Sequence, residues 1–103
     1  MSEAAIESSE GGYRVRGELS FATVREVLRL SQPLFREAKE LNIDLSAVAS
    51  ADSAGLALLI EWYRSAAHAG KKIRFMGVPA QLHALAKISD VDELLELSGD
   101  KQR

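Results

Sequence analysis

The chain has 103 residues, of which 47% are apolar and 27% charged, a balance typical of one globular domain and unlike that of disordered chains. Its formal net charge of -2 excludes a general electrostatic attraction to nucleic acid. The absence of cysteine excludes disulfides, thiolate nucleophiles and cysteine-ligated metals, and fits the cytoplasm. No signal peptide and no run of about 20 apolar residues is present, so we expect neither export nor a membrane span.

The first 19 residues predict a β-hairpin. Residues 4–9 form a short strand candidate around Ile6, and the paired glycines that follow supply the positive φ angles of a tight turn. From Tyr13 to Leu19, apolar and charged side chains alternate strictly, which indicates a half-buried strand.

A helix is predicted after the hairpin. Ser20 is its expected N-cap, and apolar residues at three- and four-residue steps continue to Ala38. Pro33 lacks an amide hydrogen and clashes with the preceding turn. We therefore expect a kink or a restart there, with Ser31 or Gln32 as a second cap.

The second half of the chain alternates strands and helices. Alternation over 41–46 predicts a strand and is followed by a predicted loop over 47–52. Good helix formers fill 53–69, and Gly70 is placed to end this central helix in a left-handed C-cap.

Two further elements are predicted before the end of the chain. A strand over 71–76 precedes a helix whose first position is Pro79, and a short last helix runs from Ser89 to Leu97. This order indicates an α/β fold with parallel crossovers, a mixed sheet of four to five strands and helices packed largely on one face. Residues 1–103 are expected to form a single domain, with 1–3 and 99–103 frayed.

Residue patterns typical of catalysis or metal binding are absent from the sequence. His68 and His83 are fifteen residues apart and lack the spacing that places two metal ligands on one helix face. The basic residues Lys71, Lys72 and Arg74 have no interleaved aromatic residues, so we interpret them as a solvated surface rather than a phosphate site. We expect no metal and no cofactor.

Asp52 and Ser53 are the polar residues of most interest, because they start the central helix. Unpaired backbone amides and the positive end of the helix dipole favour acceptor oxygens there. The residues therefore act either as a helix cap or as a binding or regulatory hydroxyl. A small enzyme built on Ser53 is disfavoured, since His68 lies roughly 22 Å along the same helix, too far to act as its base.

The central helix also has two apolar faces. One buried stripe is predicted to contain Leu56, Leu59, Ile60, Tyr63 and Ala67. Leu58 and Trp62 point away from that stripe, on the side of Ala54. Such a second face suits an exposed protein interface, unless the C-terminal helix covers Trp62.

The chain resembles the STAS domain family, named for sulfate transporters and anti-sigma factor antagonists. The resemblance rests on five segments in order, namely Gly17–Leu19, Ile43–Ser46, Asp52–Leu56, Gly70–Ile73 and Leu85–Ile88. It implies a single STAS domain. In the antagonist branch, the serine after the aspartate is phosphorylated by a partner kinase. For Ser53, the resemblance implies either a phosphorylation switch or an interface hydroxyl.

The branch of the family is indicated by other residues. The antagonist branch has a second serine where this chain has Ala54, and a Leu-Phe pair where this chain has Leu85-Ala86. The runs 55–59 and 83–87 are instead similar to the STAS subunits of Gram-negative phospholipid ABC transporters. Such a subunit is non-catalytic, binds the transporter's ATPase subunit through the helix that begins at the aspartate, and supports assembly and ATPase activity.

This resemblance implies a cytoplasmic protein that associates with the inner membrane only through its partner. Asp52 is expected to cap the helix, Ser53 to hydrogen-bond the partner, and Gly55 to allow close approach. Leu58 and Trp62 are expected to be the apolar anchor. The predicted partner-binding residues are Asp52, Ser53, Ala54, Gly55, Leu58 and Trp62. The alternative is an anti-sigma factor antagonist whose partner is a kinase and in which Ser53 is phosphorylated.

Overall fold

A computed structural model describes residues 3–97 and has the α/β architecture that the sequence predicts. It contains four strands and three helices; the first two strands form an N-terminal hairpin, and helices and strands alternate after it. In chain order they are β1 (Ala4–Ser9), β2 (Gly12–Leu19), α1 (Val24–Arg36), β3 (Glu40–Ala51), α2 (Ser53–His68), β4 (Lys72–Met76) and α3 (Ala80–Ile88). None of these helices is long and apolar enough to cross a membrane.

The strands form one mixed sheet in the order β1-β2-β3-β4. β1 and β2 pair antiparallel around a turn in which Gly11 has φ +85°, a conformation that glycine adopts without a steric penalty. β2 and β3, and β3 and β4, pair in parallel through helical crossovers. The predicted hairpin and mixed sheet are therefore confirmed.

The two faces of the sheet differ in polarity. Val15, Ile43 and Phe75 point to the side that carries the helices and are buried there. Arg14 and Arg74, one residue earlier in their strands, are exposed on the other side. Since the side-chain period of a strand is two, this alternation places the helices on one face of the sheet, as predicted.

The start and middle of α1 differ from the prediction. The helix begins at Val24 after Thr23, because residues 20–23 form a turn in which the Ser20 carbonyl accepts hydrogen bonds from the amides of Thr23 and Val24. Ser20 is therefore not the N-cap. Pro33 lies inside a helix that continues to Arg36, so the predicted restart, with its second cap, is also wrong.

The predicted loop over 47–52 is a strand up to Ala51. β3 pairs with β4 through its first half and with β2 along most of its length, through Leu19 opposite Ala51. Irregularities in the β2–β3 register break the simple alternation of side chains, and this explains why the pattern after residue 46 resembles a loop.

The predicted last helix is not formed. Residues 92–96 are turns, and the two non-glycine residues with positive φ, Asp90 and Glu96, interrupt helical geometry at both ends. Leu95 and Leu97 are nevertheless buried. The predicted frayed ends lie outside the described residues except at residue 3, whose carbonyl accepts a 2.8 Å hydrogen bond from the Glu18 amide.

Candidate functional site

The first turn of α2 lies at the carboxyl ends of β2 and β3. The Asp52 amide donates a 3.1 Å hydrogen bond to the Leu19 carbonyl and fixes the helix start against the end of β2. From the other side, the Ala51 amide donates to Gln81 Oε1 at 3.0 Å, which joins the end of β3 to α3. Two strands and two helices thus position this turn.

Asp52 and Ser53 have different surroundings, although both are exposed. Asp52 Oδ1 accepts a 2.8 Å hydrogen bond from the Ala54 amide, so Asp52 is the N-cap and its predicted capping role is confirmed. The Ser53 hydroxyl makes no hydrogen bond to any residue within 3–97. It therefore remains available at the positive end of the helix dipole.

Gly55 allows a close approach within the chain itself. A Cβ atom at this position would lie 3.1 Å from Leu19 Cβ and 3.2 Å from Ala51 Cβ. Gly55 is buried, so the predicted direct contact with a partner is wrong. The missing side chain lets α2 pack tightly onto the ends of β2 and β3.

The second apolar face of α2 is real, but it is buried. Leu58 is 4% exposed and Trp62 is 2% exposed, which corrects the prediction of an exposed anchor. Helix α1 covers Trp62: Trp62 Nε1 donates a 2.9 Å hydrogen bond to Ser31 Oγ, and the centroids of the Phe35 and Trp62 rings are 5.6 Å apart. Helical periodicity identifies an apolar side, but it does not identify what covers that side.

The predicted core stripe of α2 is buried only in its first half. Leu56 and Leu59 are buried, Ile60 and Tyr63 are partly exposed, and Ala67 is exposed. In the second half of α2 the buried residues are instead Trp62 and Ala66, so the buried side of the helix is not the predicted stripe.

Phe21 is an exposed aromatic residue that sequence analysis missed. Its side chain is 85% exposed in the turn between β2 and α1. The turn is held by the buried Thr23, whose hydroxyl donates to the Glu18 carbonyl at 2.6 Å and accepts from the Ser20 amide at 3.0 Å. A large aromatic residue between two turn-forming hydroxyl residues, off the α1 stripe, is the sequence signal that could have identified it.

A shallow apolar groove of about 280 Å³ lies between α1 and α2 beside this turn. The turn and α1 contribute Phe21, Val24, Arg25 and Leu28, and α2 contributes Ala54, Ala57, Leu58 and Glu61. Ala57 is exposed, whereas Ala54 and Leu58 are largely buried and form the floor. We call Ser53, Ala57 and this groove the α2 surface.

The basic residues lie elsewhere, and Lys71 has a structural role. Lys71 Nζ donates to the Phe35 and Arg36 carbonyls, so it caps the C-terminus of α1. Lys72 and Arg74 are exposed on β4, as interpreted from the sequence. His68 and His83 are on different helices, and no group of three potential metal ligands exists among residues 3–97.

Asp44 is an acid with a shifted pKa, and it lies on the face of the sheet away from the helices. The Ser46 hydroxyl and amide donate to its Oδ1 at 2.7 and 2.9 Å, and these bonds lower the pKa of Asp44 below its ordinary 3.8. Arg14, 3.8 Å from Oδ2, adds a smaller effect. These contacts stabilise the sheet and do not involve the α2 surface.

Comparison with solved structures shows the same fold in proteins of low sequence identity. An anti-sigma factor antagonist from Mycobacterium paratuberculosis superposes with a TM-score of 0.73 at 19% identity, covering 92% of this chain and 83% of the antagonist. The murine anion transporter Slc26a9 in its inward-facing state superposes with a TM-score of 0.64 at 14% identity. That match covers 95% of this chain but only 20% of the transporter.

Comparison with curated protein sequences gives no significant match. A family profile described as "Mlab, STAS domain" matches residues 2–96. STAS domains mediate protein–protein interactions and are generally non-catalytic. The profile covers nearly the whole sequence, and the four-stranded mixed sheet agrees with it; the chain therefore belongs to the MlaB-type STAS domain family.

Proposed function

We propose that this chain is a non-catalytic subunit that binds the ATPase subunit of an Mla-type phospholipid-transport ABC complex, which maintains outer-membrane lipid asymmetry. Binding would support assembly and ATPase activity. The protein would be cytoplasmic, and it would reach the inner membrane only through its partner. This proposal joins membership of the MlaB-type family to the geometry of the α2 surface.

The observation that carries the proposal is the exposure of Ser53 and Ala57 on successive turns of α2 beside an apolar groove. Residues four apart lie on the same side of a helix, so a partner that covers one also meets the other. Protein interfaces commonly have an apolar centre and a polar rim. In the α2 surface, the groove would be the centre and the free Ser53 hydroxyl would belong to the rim.

The predicted partner-binding residues divide into two groups in this proposal. Ser53 contacts the partner directly, and Ala54 and Leu58 contribute the floor of the groove. Asp52 and Gly55 act through α2, because the first caps the helix and the second seats it on the sheet. Trp62 holds α2 against α1 and does not touch the partner.

A binding experiment with single substitutions tests the proposal. The ABC ATPase subunit of the native organism is titrated with wild-type protein, Ser53→Asp and Ala57→Glu, and the dissociation constant is measured by calorimetry. Both variants place a carboxylate in the desolvated contact, so we expect binding to weaken by about 30-fold or more. Ala67→Glu makes the same change on an exposed part of α2 ten residues away, and it should bind like wild type.

Other results would lead to different conclusions. If wild-type protein does not bind the ATPase, the transporter role is wrong. If it captures a serine kinase that transfers phosphate to Ser53, the anti-sigma factor antagonist role replaces it. Equal loss in Ala57→Glu and Ala67→Glu would show that added charge, and not the α2 surface, determines binding.

A further inference from the structure

Phe21 and Arg25 belong to the α2 surface, but the proposed function assigns neither residue a role of its own. Both side chains are exposed, and both line the groove between α1 and α2. The Phe21 side chain is 85% exposed, and it lies beside an apolar groove and not alone on the surface, which is the arrangement typical of an interaction site. A specific contact outside the described chain would account for it.

The backbone holds Phe21 outward. Several hydrogen bonds fix residues 20–23. The Thr23 hydroxyl makes two, and the Ala22 amide donates one to Ser20 Oγ at 3.2 Å. The Ser20 carbonyl accepts two more from backbone amides. The aromatic ring is therefore presented on an ordered turn. A preorganised side chain loses less conformational entropy on binding than one on a mobile loop.

Arg25 supplies the positive charge of the groove. It makes no ion pair or side-chain hydrogen bond with any residue between 3 and 97. Glu61, on the opposite wall, is paired with Arg64 at 3.1 Å. The groove therefore presents the positive charge of Arg25 next to the exposed ring of Phe21. An acidic group on a partner would complement that charge.

The shape of the groove favours a helix as its occupant. Its α1 wall contains residues 24 and 28, one turn apart, and its α2 wall runs from 54 to 61, about 10 Å or two helical turns. The small side chains of Ala54 and Ala57 allow a third helix to approach closely, as in ridges-into-grooves packing.

We infer that Phe21 and Arg25 select the partner: Phe21 inserts into an apolar pocket, and Arg25 pairs with an acidic residue on an amphipathic helix that lies in the groove. The inference rests on the proposed function, so the helix belongs to the ATPase subunit. The rest of the α2 surface then provides contact area, whereas Phe21 and Arg25 provide most of the affinity and the charge preference.

Binding constants of matched variants test this inference. Phe21→Ala should weaken ATPase binding by about 30-fold or more, the range of an aromatic hot spot. Ile88→Ala is the matched control, since Ile88 is 82% exposed at the end of α3 and does not line the groove, and it should change binding less than about twofold. Circular dichroism verifies that both variants are folded.

The salt dependence of ATPase binding tests the role of the Arg25 charge. Arg25→Glu should weaken binding by about tenfold or more at low salt, and this loss should shrink as salt is added, because screening removes the new repulsion. Arg74→Glu makes the same charge change on the opposite face of the sheet and should bind like wild type. Hydrogen exchange of the ATPase subunit should show new protection confined to a helix.

Three results would overturn the inference. Phe21→Ala could bind like wild type, Arg25→Glu could behave like Arg74→Glu at every salt concentration, or protection could appear only outside helices of the ATPase. If Ala57→Glu still abolishes binding in those cases, the proposed function stands and the inference fails. If the wild-type protein does not bind the ATPase, both fail.

Discussion

Trp62 and Phe21 are two large aromatic residues beside the same pair of helices, yet one is 2% exposed and the other 85%. Trp62 is covered by α1, and its indole N–H is satisfied by Ser31 inside the packed region. Phe21 lies in the turn between β2 and α1, and no described residue covers its ring.

The difference shows that aromatic residues near a helix–helix contact serve different purposes. Tyr13, Phe35 and Trp62 form an edge-to-face series with centroid distances of 4.8 and 5.6 Å, and this series joins β2, α1 and α2. Such pairs contribute about 0.5–1.5 kcal/mol each beyond their burial. Phe21 is 85% exposed and is not part of this series.

The largest effect is expected from truncating the two aromatic side chains. Trp62→Ala should lower stability, whereas Phe21→Ala should leave stability nearly unchanged. Trp62→Ala removes a buried side chain and leaves a cavity, so the free energy of unfolding should fall by about 3–5 kcal/mol. Phe21→Ala should change it by less than about 0.5 kcal/mol. Urea denaturation followed by circular dichroism measures both values. A larger loss for Phe21→Ala would show that its ring packs within the fold.

A smaller effect is expected from the polar contact beneath Trp62. Ser31→Ala leaves the buried indole N–H without an acceptor, which costs about 1–2 kcal/mol of stability despite the better helix propensity of alanine. The exposed Ser65→Ala on α2 is the matched control and should be nearly neutral. Equal stability of Ser31→Ala and wild type in urea would mean that the hydrogen bond contributes no net stability.

The smallest effect is expected on the far face of the sheet, where neither aromatic residue is involved. Because folding lowers the pKa of Asp44, its contribution to stability is present above the unfolded pKa of about 3.9 and is lost as pH falls through the lower folded value. Ser46→Ala removes the larger cause, so the pKa of Asp44 should rise towards 3.8, as measured by NMR titration. Solvent screening limits the change in unfolding free energy at pH 7 to about 0.5 kcal/mol. An unchanged pKa would show that Ser46 does not set it.

Much of the fold follows from local patterns. The strand around Ile6, the alternation in β2 and in the first half of β3, and the placement of Gly11 and Gly70 at positive φ are predictable because each depends on a few neighbouring residues. The same holds for Asp52 as the cap of α2. Local signals failed for the helix restart predicted at Pro33 and for the last helix predicted through residues 92–96.

The candidate site was predictable only in part. The sequence by itself determined that α2 starts at an Asp-Ser pair and has a second apolar side, because capping chemistry and the 3.6-residue period are local properties. Only the tertiary structure decided that α1 buries Leu58 and Trp62, that Gly55 packs against the sheet, and that Phe21 remains in solvent. Burial depends on which distant segment covers a face, and neither periodicity nor composition contains that information.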